Sequence, residues 1–295
     1  TIVMRLKSLV VMCLLVYMVG FGCQHNKPPA PTIPKRPLTF GMMPFHALPE
    51  LYKESKIIAS YLSKNLGRKI RFVLMPDYSS ITKLLLKEQL DIAWLTPLPY
   101  SKFRGRIDYE LLCAPSRRGR HSHKGVIVAK RSSKFRNVED LRGATFAYVD
   151  RYSTSGFVFP NLLFEEKQID PLEFFGAVHF SHTHASSLLG VIEGRYDAAA
   201  VYDQAYLTSL EESERKKLRA VAFTRDIPAD PIVVRSSLAP DLKAELKSLF
   251  IDMDKRGPEI LLSLQKSDGI DKFFTTTDSV YDMPGLASCR SLGDK

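Results

Sequence analysis

The chain has 295 residues, 45% of them apolar, and a formal net charge of +10. That length allows one large domain or two ordinary ones, and the apolar fraction argues against disorder over most of it. The basic residues are scattered rather than gathered on one face with aromatics between them, which argues against a nucleic-acid partner.

The N-terminal stretch reads as an export signal. Met4 is the expected start, Arg5 and Lys7 make a positive n-region, and "SLVVMCLLVYMVGFG" is apolar. That run is shorter than the roughly 20 residues of a comfortable membrane span, so residues 1–22 are expected to be a signal peptide. The run ends at Cys23, and Gly22 before it resembles the last position of a bacterial lipobox. Gly20 departs from the Leu usual in such a motif. Cys23 is therefore the expected lipidation site, with the protein lipid-anchored at the cell envelope, and an uncleaved anchor or ordinary cleavage nearby are the alternatives. Residues 23–36 include "QHNKPPAPTIPKR", a polar, proline-rich sequence suited to a semi-rigid tether. Of the four Cys, Cys13 falls in the signal, and only Cys113 and Cys289 remain for the body. Their wide separation gives no metal spacing, and both a disulfide and free thiols stay open.

From residue 37 strand-like and helix-like runs alternate. "LTFGMM" reads as a strand. A helix follows over 48–67, with Leu51, Ile57, Ile58, Tyr61 and Leu62 on one stripe and Gly67 as its stop. "KIRFVL" is a second strand. "SSITKLLLKEQL" is a helix that Ser79 or Ser80 could cap, and "DIAWL" is a buried strand. "GVIVAK", a short helix in "NVEDLRG", then "TFAYVD", "AVHF", "HASSLLGVIEGR" and "DAAAVY" continue the alternation. The expectation is α/β architecture with mainly parallel sheets. Two such units stand around 37–110 and 126–225, without a clean internal repeat. Strand-like segments near 114–130 and 222–235 would cross between them. The helical sequence over 239–265 would pack back on the first.

"RYSTSGFVFP" (151–160) places Ser153, Thr154 and Ser155 between a strand and a helix. Hydroxyls, backbone N–H groups and the helix dipole together suit an oxyanion. An N-cap is the plainer role, but a cap accounts for one hydroxyl rather than three. Gly156 lets backbone come close. His184 opens another helix and could donate to a phosphoryl oxygen, with His182 as its rival. The run "RRGRHSHK" (117–124) reads as a solvated hairpin tip or, alternatively, as a patch that steers anions. His121 and His123 lack the further ligands a metal site needs, and no metal or other cofactor is expected.

"DIAWLTPLPY", "VEDLRGATFAYVDRYSTSGFVFP", "SHTHASSLLGVIEGRYDAAAVY" and "DIPADPIVVRSSL" occur in that order. Together they closely resemble the periplasmic phosphate/phosphite/phosphonate-binding proteins (PhnD-like) of ABC importers, over roughly residues 37–285. The resemblance implies a type II periplasmic-binding-protein fold, with two α/β lobes, a ligand cleft between them and no catalysis. It divides the chain into a first lobe (37–125), a second lobe (126–228), a return to the first (229–285) and a tail (286–295). Carried over by position, the ligand-binding residues are Tyr78, Tyr100, Ser153, Thr154, Ser155, His184 and Asp230. Asp203 and Gln204 fall where aminoalkyl-phosphonate binders use a Glu. The absence of that Glu disfavours an amino-phosphonate. Thr96 also replaces the usual Gly before Pro97. Asp230 near an anion would have to meet a protonated oxygen, meet a cationic tail, or cap the crossing strand.

The implied function is a lipid-anchored solute-binding protein, a monomer, that delivers a phosphonate, phosphite or phosphate to an ABC permease. A ligand-sensing lipoprotein without a transport role is the alternative. An exported Ser hydrolase is disfavoured, because the chain lacks a G-x-S-x-G elbow and a His/Asp-rich metal set.

Overall fold

The computed structural model describes residues 36–43 and 48–283, so Cys23, the tether and Cys289 lie outside the described residues. The strands there are β1 (Leu38–Met42), β2 (Ile70–Leu74), β3 (Ile92–Trp94), β4 (Tyr109–Arg117), β5 (Ser122–Lys130), β6 (Thr145–Tyr148), β7 (Ala177–Phe180), β8 (Ala198–Tyr202), β9 (Leu218–Pro228), β10 (Ile232–Arg235) and β11 (Ile270–Phe274). Helices of six or more residues are α1 (Leu48–Leu66), α2 (Tyr78–Leu86), α3 (Pro97–Phe103), α4 (Phe159–Glu166), α5 (His184–Glu193), α6 (Asp203–Thr208), α7 (Pro240–Ile251) and α8 (Pro258–Asp268).

The strands form two sheets, ordered β11-β4-β10-β3-β1-β2 and β7-β6-β8-β5-β9. In the first, β1 lies parallel between β2 and β3, and β10 pairs antiparallel with β3. In the second, β6 lies parallel between β7 and β8, and β5 pairs antiparallel with β8. The two lobes thus share one plan although their sequences carry no clean repeat. Both sheets are mixed, which corrects the expectation of mainly parallel ones. β5 and β10, which lead across from the other lobe, run antiparallel to their neighbours, and β11 pairs antiparallel with β4 at the edge of the first sheet.

The chain passes from the first sheet to the second between Arg117 and Ser122, and returns between Pro228 and Ile232. Trp94, Phe40 and Tyr78 sit in the first lobe's core, joined there by Leu246, Phe250, Leu264 and Phe273 from the returning segment. The second lobe has an aromatic core, in which Phe146 stacks on Phe175 at 4.4 Å and meets Phe164 edge-on at 5.7 Å.

Some local expectations change. Asp77, not Ser79 or Ser80, caps α2, because its carboxylate accepts from the Ser80 N–H at 2.8 Å and from both hydroxyls. "NVEDLRG" holds only a single 3-10 turn, Glu139–Leu141. The helical run after 239 is interrupted at Asp252 and Gly257. β11 then closes the edge of the first sheet against β4.

Candidate functional site

The hydroxyl triplet lies where β6 gives way to helix. Ser153 is extended, and its hydroxyl accepts from the Gly156 N–H at 3.0 Å, an N-cap. Residues Thr154–Val158 form a π-turn that runs straight into α4. Such wide turns often mark functional sites, because they reposition side chains against the helical period. Close packing depends on glycine here. A Cβ on Gly156 would stand 2.6 Å from Val149 Cγ2, and one on Gly125 would stand 2.7 Å from the Ser155 carbonyl oxygen. All three triplet residues are buried.

Thr154 reaches the other lobe. Its hydroxyl accepts a hydrogen bond from the Leu98 N–H in the first turn of α3, at 3.0 Å. The first N–H groups of a helix have no partner within it. Thr96, the N-cap of α3, makes no side-chain cap bond, and its buried hydroxyl has no partner within hydrogen-bonding distance. Thr154 therefore caps a helix across the cleft.

Tyr78 opens α2 and is 1% exposed, and its hydroxyl lacks a partner at hydrogen-bonding distance. Burial raises its pKa and the Asp150 carboxylate adds to this, while the Ser153 hydroxyl opposes the rise at longer range. The charge of Asp230 also raises it. Tyr78, Ser153 and Asp230 therefore share one neighbourhood, to which the two lobes and the second crossing each contribute.

Asp230 has a specific counter-charge. Arg117, the last residue of β4, sets Nη1 3.1 Å from Asp230 Oδ2 and Nη2 2.7 Å from Asp268 Oδ2. Its Nε donates to Asp268 Oδ2 at 2.8 Å, and the Tyr202 hydroxyl donates to Asp268 Oδ1 at 2.8 Å. Burial alone would lower the Arg117 pKa, but the two carboxylates outweigh it and hold the guanidinium charged. His123, beside this group, is pushed down to about 3, chiefly by burial and then by the Arg117 charge. It is neutral at ordinary pH. The run 117–124 is therefore not simply a solvated tip. Arg118, Gly119, Arg120 and His121 are exposed, while Arg117 and His123 at its ends are buried.

The remaining candidates separate. His184 is buried and His182 exposed, and His184 Nδ1 accepts from the Tyr202 N–H at 3.1 Å. The proton of the neutral ring is then on Nε2. His184 faces Tyr202, with ring centroids 4.7 Å apart. The Tyr100 hydroxyl donates to the Asp278 carboxylate, and its ring packs edge-on against Tyr281 at 5.0 Å. Tyr281 in turn donates to the Ala229 carbonyl, next to Asp230. Asp203 pairs through Oδ2 with Arg120 at 3.0 Å, while its buried Oδ1 has no partner. The Gln204 amide nitrogen is likewise buried without a partner, and Gln204 packs against Gly269. Cys113 is a buried free thiol. Among the described residues, no three His, Cys, Asp or Glu stand close enough to hold a metal.

The arrangement can hold a small anion. It offers hydroxyls at a helix mouth, a nearby phenol and a buried cation already paired with carboxylates. Sequence reasoning missed Arg117, Asp268 and Tyr202. Arg117 lay inside a run read as solvated, and Asp268 has no local motif. The phosphonates-binding periplasmic protein of Escherichia coli is 26% identical over 237 residues, covering 76% of this chain and 68% of that protein. The phosphate-import protein PhnD of Mycolicibacterium smegmatis is 24% identical over 256 residues, covering 80% and 78%. PhnD1 from Prochlorococcus marinus, solved in complex with methylphosphonate, superposes with a TM-score of 0.74 at 20% identity, covering 83% of this chain and 94% of that one. The two-lobed fold, and a match of residues 40–281 to the model for "ABC transporter, phosphonate, periplasmic substrate-binding protein", make this chain a member of that family.

Proposed function

We propose that the protein is a lipid-anchored solute-binding protein that captures a small phosphorus oxyanion in its cleft and presents it to an ABC permease. Phosphite, phosphate and simple alkylphosphonates are its ligands, ahead of aminoethylphosphonate. Lipid on Cys23 and the tether to residue 36 hold the body at the envelope membrane. The lobes close over the ligand by bending at the two crossings. The observation that carries this reading is the triplet Ser153, Thr154 and Ser155, buried at a helix mouth, with the buried Tyr78 hydroxyl near Ser153 and without a partner at hydrogen-bonding distance. Relatives whose names record phosphonate and phosphate, and one solved with methylphosphonate, support the ligand class.

The test is a thermal-shift and calorimetric panel of phosphate, phosphite, methylphosphonate, aminoethylphosphonate and sulfate. A ligand at 100 times its Kd stabilises by about 2.7 kcal/mol. The expected result is a clear shift with at least one phosphorus oxyanion, lost in the Thr154→Val, Ser155→Ala double variant. A panel without any shift would overturn the reading.

A further inference from the structure

A cleft for an anion that also holds a buried carboxylate has an electrostatic conflict. Either the ligand brings a cation to that carboxylate, or the protein does. Here the protein does. Arg117 Nη1 lies 3.1 Å from Asp230 Oδ2, and both side chains are less than a tenth exposed. The same guanidinium is anchored on its other edge by Asp268 at 2.7 Å, and Tyr202 holds Asp268 from the second lobe. This fork has little freedom to swing away, since the planar guanidinium engages both carboxylates at once. The Pro231 carbonyl, next to Asp230, accepts the Leu95 N–H at 2.9 Å beside the turn where Leu98 meets Thr154, and Tyr202, which holds Asp268, faces His184 at 4.7 Å, so the pair borders the site.

We infer that Arg117 is a specificity-determining residue: it occupies the position at Asp230 that a ligand's cationic group would otherwise take, and so restricts the cleft to phosphorus oxyanions without a cationic tail. The inference rests on the oxyanion reading above. A ligand ammonium approaching Asp230 would meet a like charge at close range in a poorly solvated site. A methyl, hydrogen or hydroxyl substituent on phosphorus meets no such penalty.

Calorimetry with methylphosphonate and 2-aminoethylphosphonate on the full chain tests it. The wild type binds methylphosphonate at least tenfold more tightly. Asp230→Asn weakens both ligands by the same factor, because Asp230 serves Arg117 and not the ligand. Arg117→Met with Asp268→Asn removes one charge of each sign and takes the guanidinium away from Asp230, and the ratio moves at least tenfold toward 2-aminoethylphosphonate. Circular dichroism reports whether that double variant folds. If it does not, the wild-type and Asp230→Asn ratios decide. Equal wild-type affinities, selective loss of the amino ligand in Asp230→Asn, or an unmoved ratio in a folded double variant would each overturn the role of Arg117. A wild type that binds neither ligand, nor phosphate, nor phosphite, overturns the oxyanion reading itself.

Discussion

The Thr154 hydroxyl accepts the Leu98 N–H at 3.0 Å, and this hydrogen bond joins the helix mouth of one lobe to the first turn of a helix in the other. A hydroxyl that accepts still has its own proton to give. The same oxygen can therefore report contact between the lobes and donate to an oxyanion.

Thr154→Val should separate these tasks from shape. Valine keeps the volume but removes both the acceptor and the donor, and it leaves the Leu98 N–H without this partner. A hydrogen bond to a charged oxygen is worth roughly 1.5–3 kcal/mol, so phosphorus-oxyanion affinity should fall about tenfold or more. The circular dichroism spectrum should be retained, and Thr154→Ser should restore most of the affinity. Unchanged affinity by calorimetry would leave Thr154 as a cap alone.

Tyr78→Phe carries a contrasting expectation. The hydroxyl is buried without a partner at hydrogen-bonding distance, so its removal relieves a desolvation penalty. The ligand-free protein should melt at the same temperature or higher, while oxyanion affinity falls about tenfold. A large loss of ligand-free stability would show that the hydroxyl serves the fold.

Gly156→Ala should harm both. The added methyl would stand 2.6 Å from Val149 Cγ2 and 2.9 Å from Ser153 Oγ, so the π-turn must shift. Overpacking of this kind costs about 1–3 kcal/mol. Denaturant titration should register that loss, and binding should weaken with it. An alanine variant with full stability would mean that the turn is softer than its packing implies.

His123 predicts the acid limb of stability. Its folded pKa is about 3, lowered by burial first and by the Arg117 charge after it. An unfolded His titrates near its ordinary value of about 6.5, so between these values the unfolded state binds the extra proton. The contribution of the neutral ring is complete above about pH 6.5 and is lost as pH falls toward 3. His123→Gln should flatten the dependence of melting temperature on pH across that window. An unaltered slope would assign acid sensitivity to the carboxylates instead.

Cys23→Ser should abolish incorporation of labelled fatty acid in a bacterial host that processes lipoproteins. Equal labelling of the wild type and the variant would place any lipid elsewhere or remove it from the account.

Much of this protein is legible in its sequence. Short apolar runs, alternating with helical stripes, mark most of the strands and helices, because a strand covered on both faces needs a continuous apolar run and a helix needs one apolar stripe. The crossing segments stand out for the same reason. The Ser153–Ser155 triplet is legible because three small hydroxyl residues and a glycine stand between a strand that ends at Tyr148 and a helix that follows. Partnership across the fold is not legible. Arg117 and Asp268 stand 151 positions apart, and only the sheet edge made by β4 and β11 brings them together. His182 and His184 look alike in sequence, yet one is exposed in a left-handed turn and the other is buried under Tyr202. Position relates Tyr100 and Asp230 to a ligand, but their protein partners Asp278 and Arg117 are visible only in the structure. Local periodicity sets which face of an element is buried. Which charges then meet depends on how distant elements pack, and a buried charge holds only where that packing supplies its counter-charge.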